Sequence, residues 1–214
     1  MRDIFNSDNR IMRALGKLFD IGYLSIVFIL FCIPVVTIGA ALTALYYTTV
    51  KVVRRERGYV FHEFWHSFKS NFKQATFMWL IELVLLVVTG YNISLVYEAT
   101  GTTSGYLLGA YLVIGIIIIA IGSYAYPILS RFEMKNTAII RMSLFVMAKH
   151  IYFTIPIVIV VVGASLAIVL LMPYVPLVPI ILPGLASLLC SFMMEIVLKK
   201  YMPKDGDESA WYNE

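Results

Sequence analysis

Charge is scarce in this chain. Asp, Glu, Lys and Arg make up 14% of its 214 residues, against 60% hydrophobic, and a soluble domain usually carries nearly twice that charge fraction. One small globule cannot bury so much apolar surface, which leaves lipid as the solvent. Cysteine is nearly absent: Cys32 and Cys190 both lie inside apolar runs and read as small core residues rather than as a disulfide or a metal site. The sequence has no P-loop, no glycine-rich dinucleotide loop and no nucleophile elbow. It has no linker-like or low-complexity stretch either, so a single domain over 1–214 is expected. The first apolar run is long and lacks a small-residue cleavage site, so no cleavable signal is expected.

What the chain does have is long apolar runs. From Ile21 to Val50 no residue is charged. A crossing needs about 20 apolar residues, so this run is too long for one upright helix and a little short for two. Pro34 and Gly39 interrupt it, predicting two short helices at 18–34 and 38–53 joined by a tight turn. A re-entrant loop is the alternative. Further crossings are expected at 75–97, 106–130, 151–172 and 177–198, the last two separated by a proline-rich turn. The expected fold is therefore an all-α integral membrane protein with six transmembrane helices.

Cations set the expected orientation. Arg2, Arg10, Arg13 and Lys17 precede the first helix. Lys51, Arg54, Arg55, Arg57, Lys69 and Lys73 lie between the second and third, and Arg131, Lys135, Arg141 and Lys149 between the fourth and fifth. Lys199, Lys200 and Lys204 follow the sixth, and these four groups hold all 17 Lys and Arg residues. The connections near 35–38, 98–105 and 173–176 hold none. The positive-inside rule then places both termini in the cytoplasm. Topology accounts for the basic loops, so no nucleic-acid partner is implied.

Between the second and third crossings, Phe61, Phe64, Trp65, Phe68 and Phe72 recur at spacings of three and four, which predicts an amphipathic helix over 58–74. Such a helix suits the membrane interface; packing against the protein's own helices is the alternative. The segment 131–149 reads as a shorter basic connector with a partial apolar stripe.

His62-Glu63-Phe64-Trp65-His66 matches H-E-x-x-H, in which two histidines one turn apart bind zinc and the Glu activates water. Lys69 and Lys73 share that flank, no third ligand follows at a telling spacing, and the aromatic stripe already explains the surroundings. A coincidental match is the better reading, and no metal or other cofactor is expected. Glu82 lies about two turns inside the third crossing, where an ionisable group is a candidate for a polar pathway or a partner contact. Asp20 and Glu195 are shallower and read as solvated at the interface.

Cys32-Ile-Pro-Val-Val-Thr-Ile-Gly39, Ala44-Leu-Tyr-Tyr47, Phe68-Lys-Ser-Asn-Phe-Lys-Gln74 and Tyr126-Pro-Ile-Leu-Ser-Arg-Phe132 together resemble the YesL family of small bacterial multi-pass membrane proteins. The resemblance covers most of residues 1–150 and fades in the last two helices. It implies a location in the bacterial cytoplasmic membrane, no catalytic residues, and an accessory role in carbohydrate uptake beside sugar ABC importer subunits. The expected contact surfaces are the hairpin with Pro34, Thr37 and Gly39 and the aromatic segment at 58–74. A small transporter or channel using Glu82 is the alternative function, followed by a membrane zinc protease using His62, Glu63 and His66. Oligomeric state is not legible in the sequence.

Overall fold

The computed structural model describes residues 10–98, 102–175 and 177–201. The cytoplasmic placement expected for the two termini concerns segments that lie outside the described residues. Within them every regular element is helical: α1 Arg10–Cys32, α2 Ile38–Thr48, α3 Val60–Glu98, α4 Thr102–Leu129, α5 Asn136–Lys149, α6 Ile151–Leu171 and α7 Val178–Leu198. A short 3₁₀ turn over Val35–Thr37 joins α1 to α2, and a π-helical turn over Thr49–Arg54 extends α2. Six of these helical stretches are long and apolar enough to cross a membrane.

The expected breaks at Pro34 and in the proline-rich stretch after residue 172 are present, but two expectations need correction. The amphipathic helix expected at 58–74 and the crossing expected at 75–97 are one helix, α3, with no break near residue 74. No proline lies between Val60 and Glu98, and no glycine before Gly90, so nothing interrupts the i to i−4 ladder. The connector expected at 131–149 contains a helix of its own, α5, which buries Ile139, Ser143 and Val146 at helical spacing.

Five helices surround one. α1 packs on α7, α7 on α6, α6 on α4, α4 on α3 and α3 on α1, while α2 touches α1, α3, α4 and α7 from within. The central helix can be approached closely because its buried residues are mostly small, Gly39, Ala40, Ala41, Thr43, Ala44 and Thr48 beside Leu45 and Tyr46, and small residues let backbones come close without a hydrophobic drive. The ring turns apolar side chains outward: Val84, Val87, Ile159, Val169 and Leu170 are all exposed. Water would penalise such a surface, and acyl chains would not.

The α1–α2 turn is tied to the middle of α3. The Thr37 hydroxyl lies 2.5 Å from the Phe31 carbonyl oxygen and 2.7 Å from that of Pro34, satisfying acceptors left free where α1 ends. A Cβ on Gly39 would stand 2.5 Å from the Trp79 Cβ and 2.6 Å from the Ala75 carbonyl oxygen, so α2 and α3 meet backbone to backbone here. The Trp79 indole N–H donates to the Val35 carbonyl at 2.7 Å. Beyond this point α3 continues through Leu80 to Glu98, a further rise of about 28 Å. The first two helices therefore pair with the N-terminal half of α3, and its C-terminal half pairs with α4. On the far side of the ring, Thr154 of α6 meets Tyr124 of α4 at 2.9 Å, and α6 then runs on for about 26 Å along its own axis. The turn of the first hairpin thus stops well short of the ends that α3 and α6 reach.

Candidate functional site

Polar side chains gather at the end of the bundle where the basic segments meet. Lys51 sits on the π-helical turn, a local irregularity common at functional positions, and Glu63 lies in the first turn of α3. Lys51 Nζ is 2.7 Å from Glu63 Oε2, with both side chains nearly buried, and it donates to the Tyr47 hydroxyl at 3.2 Å. Gly58, with φ +80°, leads into α3, and a Cβ there would meet Glu63 Oε1 at 2.6 Å. Glycine is needed at that position both for its left-handed backbone and for the room it leaves the carboxylate.

A second buried pair lies across the bundle. Arg131, just beyond α4, pairs with Glu195 of α7, their side chains 3% and 5% exposed. The Tyr46 hydroxyl donates to Glu195 Oε1 at 3.0 Å. The neighbouring tyrosines Tyr46 and Tyr47 thus reach different ion pairs. The π-helical turn is fastened to α7 as well: Thr49 Oγ1 is 2.9 Å from Ser187 Oγ, and Arg54 Nη1 donates to the Ser191 carbonyl at 3.0 Å.

Glu82 lies deeper, between α3 and α4. The Tyr126 hydroxyl donates to its Oε2. A Cβ on Gly122 would overlap the Glu82 carboxyl, so the facing helix leaves a gap at that residue for the acid. The carboxyl is half-buried and has a partner, as an acid at membrane depth requires.

The H-E-x-x-H residues point in different directions. Glu63 faces inward to Lys51, whereas the His62 side chain is 78% exposed, and His66 is exposed too. Among the described residues no group of three His, Cys, Asp or Glu side chains comes together. The buried Lys51 gives Glu63 a structural reason to be where it is. The aromatic stripe also divides. Phe64 and Phe68 are buried, and both contact Phe31 of α1. Phe61, Trp65 and Phe72 are exposed, although Trp65 also touches the Phe31 ring. Phe64 and Phe68 of the expected contact surface are thus spent inside the protein, as is Gly39 of the hairpin. Pro34 and its neighbours Ile33, Val35 and Val36 remain exposed.

Between α2, α3 and the segment after α4 lies a cleft of about 400 Å³ lined by Tyr47, His66, Ser67, Ser70, Asn71 and residues 129–133. At the same end His150, joining α5 to α6, lies 3.1 Å from the Tyr201 hydroxyl. Burial holds its imidazole pKa below the ordinary value of 6.5, and the charges of Lys200 and Lys149 push the same way.

A family model described as "Protein of unknown function, DUF624" matches residues 21–93. The match runs from α1 through the hairpin and the π-helical turn into the C-terminal half of α3, and it takes in Lys51, Glu63 and Glu82. No curated protein matches the chain, and no solved structure does.

The sequence reading missed the two ion pairs. Glu195 reads as a shallow, solvated acid, yet it is 4% exposed. Arg131 and Lys51 read as topology cations, yet both are paired inside the bundle. A signal existed for Lys51, which stands alone among Thr48, Thr49, Val50, Val52 and Val53. None existed for Arg131–Glu195, whose partners lie on elements far apart in the chain.

Proposed function

We propose that this protein is a non-enzymatic accessory component of carbohydrate uptake in the bacterial cytoplasmic membrane, working beside an ABC importer with both of its termini in the cytoplasm. The observation that carries this reading is the resemblance of its motifs to the YesL family, with which the DUF624 match over residues 21–93 is consistent. The geometry supports a binding role. The buried carboxylates Glu63 and Glu195 are each held in an ion pair, a structural role. The exposed rings of Phe61, Trp65 and Phe72 lie on the basic end, where a partner would dock.

Purification of the tagged protein from its native membrane in mild detergent tests the reading. Importer subunits should co-purify with the wild type and be depleted with Phe61→Ala/Trp65→Ala. Recovery of no importer subunit, under conditions where known transporter complexes survive, would contradict it.

One observation favours a second reading as a small carrier or channel. Glu82, Tyr126 and the gap at Gly122 place an acid with a hydrogen-bonded partner at membrane depth. Proteoliposomes would then show solute flux that Glu82→Gln abolishes; flux absent, or unchanged by Glu82→Gln, removes this reading.

A further inference from the structure

We propose that the cleft between α2, α3 and the α4–α5 connection is a binding site for a small, neutral, polyhydroxylated molecule, a saccharide or sugar alcohol. The cleft's volume, about 400 Å³, falls within the range of small-molecule sites. Its wall carries a hydrogen-bonding group that the protein leaves unused. Ser67 is 2% exposed, and its Oγ has no hydrogen-bond partner. A buried hydroxyl without a partner is costly and uncommon, and this one belongs to a residue that lines the opening.

The rest of the lining offers mixed donors and acceptors. Asn71 spends its amide N–H on the Ser67 carbonyl at 3.0 Å, which leaves its amide oxygen to accept. Ser70 donates to the His66 carbonyl and Ser130 to the Pro127 carbonyl, both at 2.8 Å, so both hydroxyl oxygens can still accept. Glu133 adds an exposed carboxylate, and Tyr47 belongs to the lining too.

Charge selects among ligand classes. The nearest buried cations, Lys51 and Arg131, are each already neutralised by a carboxylate, Glu63 and Glu195. Neither buried cation is therefore left to an anion, and Glu133 in the lining would oppose one. An apolar ligand or an acyl chain would leave the Ser67 hydroxyl unsatisfied, which disfavours it. A neutral molecule bearing several hydroxyls satisfies acceptors and donors together.

The site rests on the carbohydrate reading for its physiological setting alone; its chemistry comes from the lining. The test is isothermal titration calorimetry on the full chain in detergent with D-glucose, D-galactose, D-mannose, D-xylose and sorbitol, and with inorganic phosphate and glutamate as charged controls. At least one neutral probe should bind saturably and the charged controls should not. Ser67→Ala and Asn71→Ala should each weaken binding roughly tenfold, the loss of one hydrogen bond. Ser70→Trp, at an exposed rim position, should fill the cleft and abolish binding while the thermal melt stays unchanged. Failure of all neutral probes to bind the wild type overturns the proposal, and so does binding that survives Ser70→Trp. Saccharide binding without any importer subunit in the purification would keep the site and remove the uptake reading. Importer recovery with a wild type that binds no probe would do the reverse.

Discussion

Arg131 and Glu195, brought together from the end of α4 and the last turn of α7, form an ion pair with almost no solvent exposure. Removing one member of such a pair strands a buried charge, at a cost of about 3–5 kcal/mol. Glu195→Ala should therefore lower the melting temperature sharply in detergent. The double variant Arg131→Met/Glu195→Leu should regain most of the loss, because no charge is then left unpaired. A double variant no better than Glu195→Ala would show that the pair does more than balance charge.

The H-E-x-x-H residues should separate by mutation. Glu63→Ala strands buried Lys51 and should cost about 3–5 kcal/mol, whereas His62→Ala, on an exposed side chain, should stay within about 0.5 kcal/mol of wild type. Thermal melts of the two variants check this. A zinc site would give a different pattern, with His62→Ala and His66→Ala both losing bound metal on elemental analysis.

Gly39→Ala should destabilise the hairpin by about 1–3 kcal/mol through overpacking. Its new methyl would meet the Trp79 Cβ and the Ala75 carbonyl oxygen. Trp79→Ala keeps the offending Cβ and so should not rescue it. Chemical-denaturation midpoints of the single and double variants supply the check, and rescue by Trp79→Ala would refute the backbone contact.

His150 should titrate below 6.5, since burial and then Lys200 and Lys149 disfavour its charged form. A folded-state pKa below the unfolded one means that the folded protein binds fewer protons. Stability should then fall as pH drops through 6.5 toward the lowered value, and this group should contribute nothing above 6.5. The imidazole nitrogen shifts of ¹⁵N-histidine-labelled protein report the titration directly. A midpoint at or above 6.5 would contradict the placement beside the two lysines.

Much of the architecture was legible because apolar runs and their breakers are local signals. Pro34 ends the first helix, the proline-rich stretch after Leu171 separates α6 from α7, and the spans follow from length and hydropathy. The continuity of α3 was not legible. Its amphipathic and lipid-facing halves differ in composition, and composition reads as a boundary even where the backbone has no reason to break. The division of the aromatic stripe needed Phe31, which arrives from another helix. Of the candidate site, Glu82 stood out as an acid in an apolar run. Its accommodation by Gly122, the Arg131–Glu195 pair and the cleft at Ser67 all arise from packing between elements distant in sequence.

The depth of the first hairpin tests the central claim most directly. Its turn is fixed beside Trp79 while α3 and α6 run on by about 26–28 Å along their axes, close to one hydrocarbon thickness of about 30 Å. With Cys32 and Cys190 replaced by Ser, single cysteines at Val36, Tyr97 and Tyr174 can be probed with a membrane-impermeant maleimide on intact spheroplasts. Tyr97→Cys and Tyr174→Cys should label from outside, and Val36→Cys should stay unlabelled. Labelling of Val36→Cys at the rate of Tyr174→Cys would place the turn at the outer surface and contradict the account.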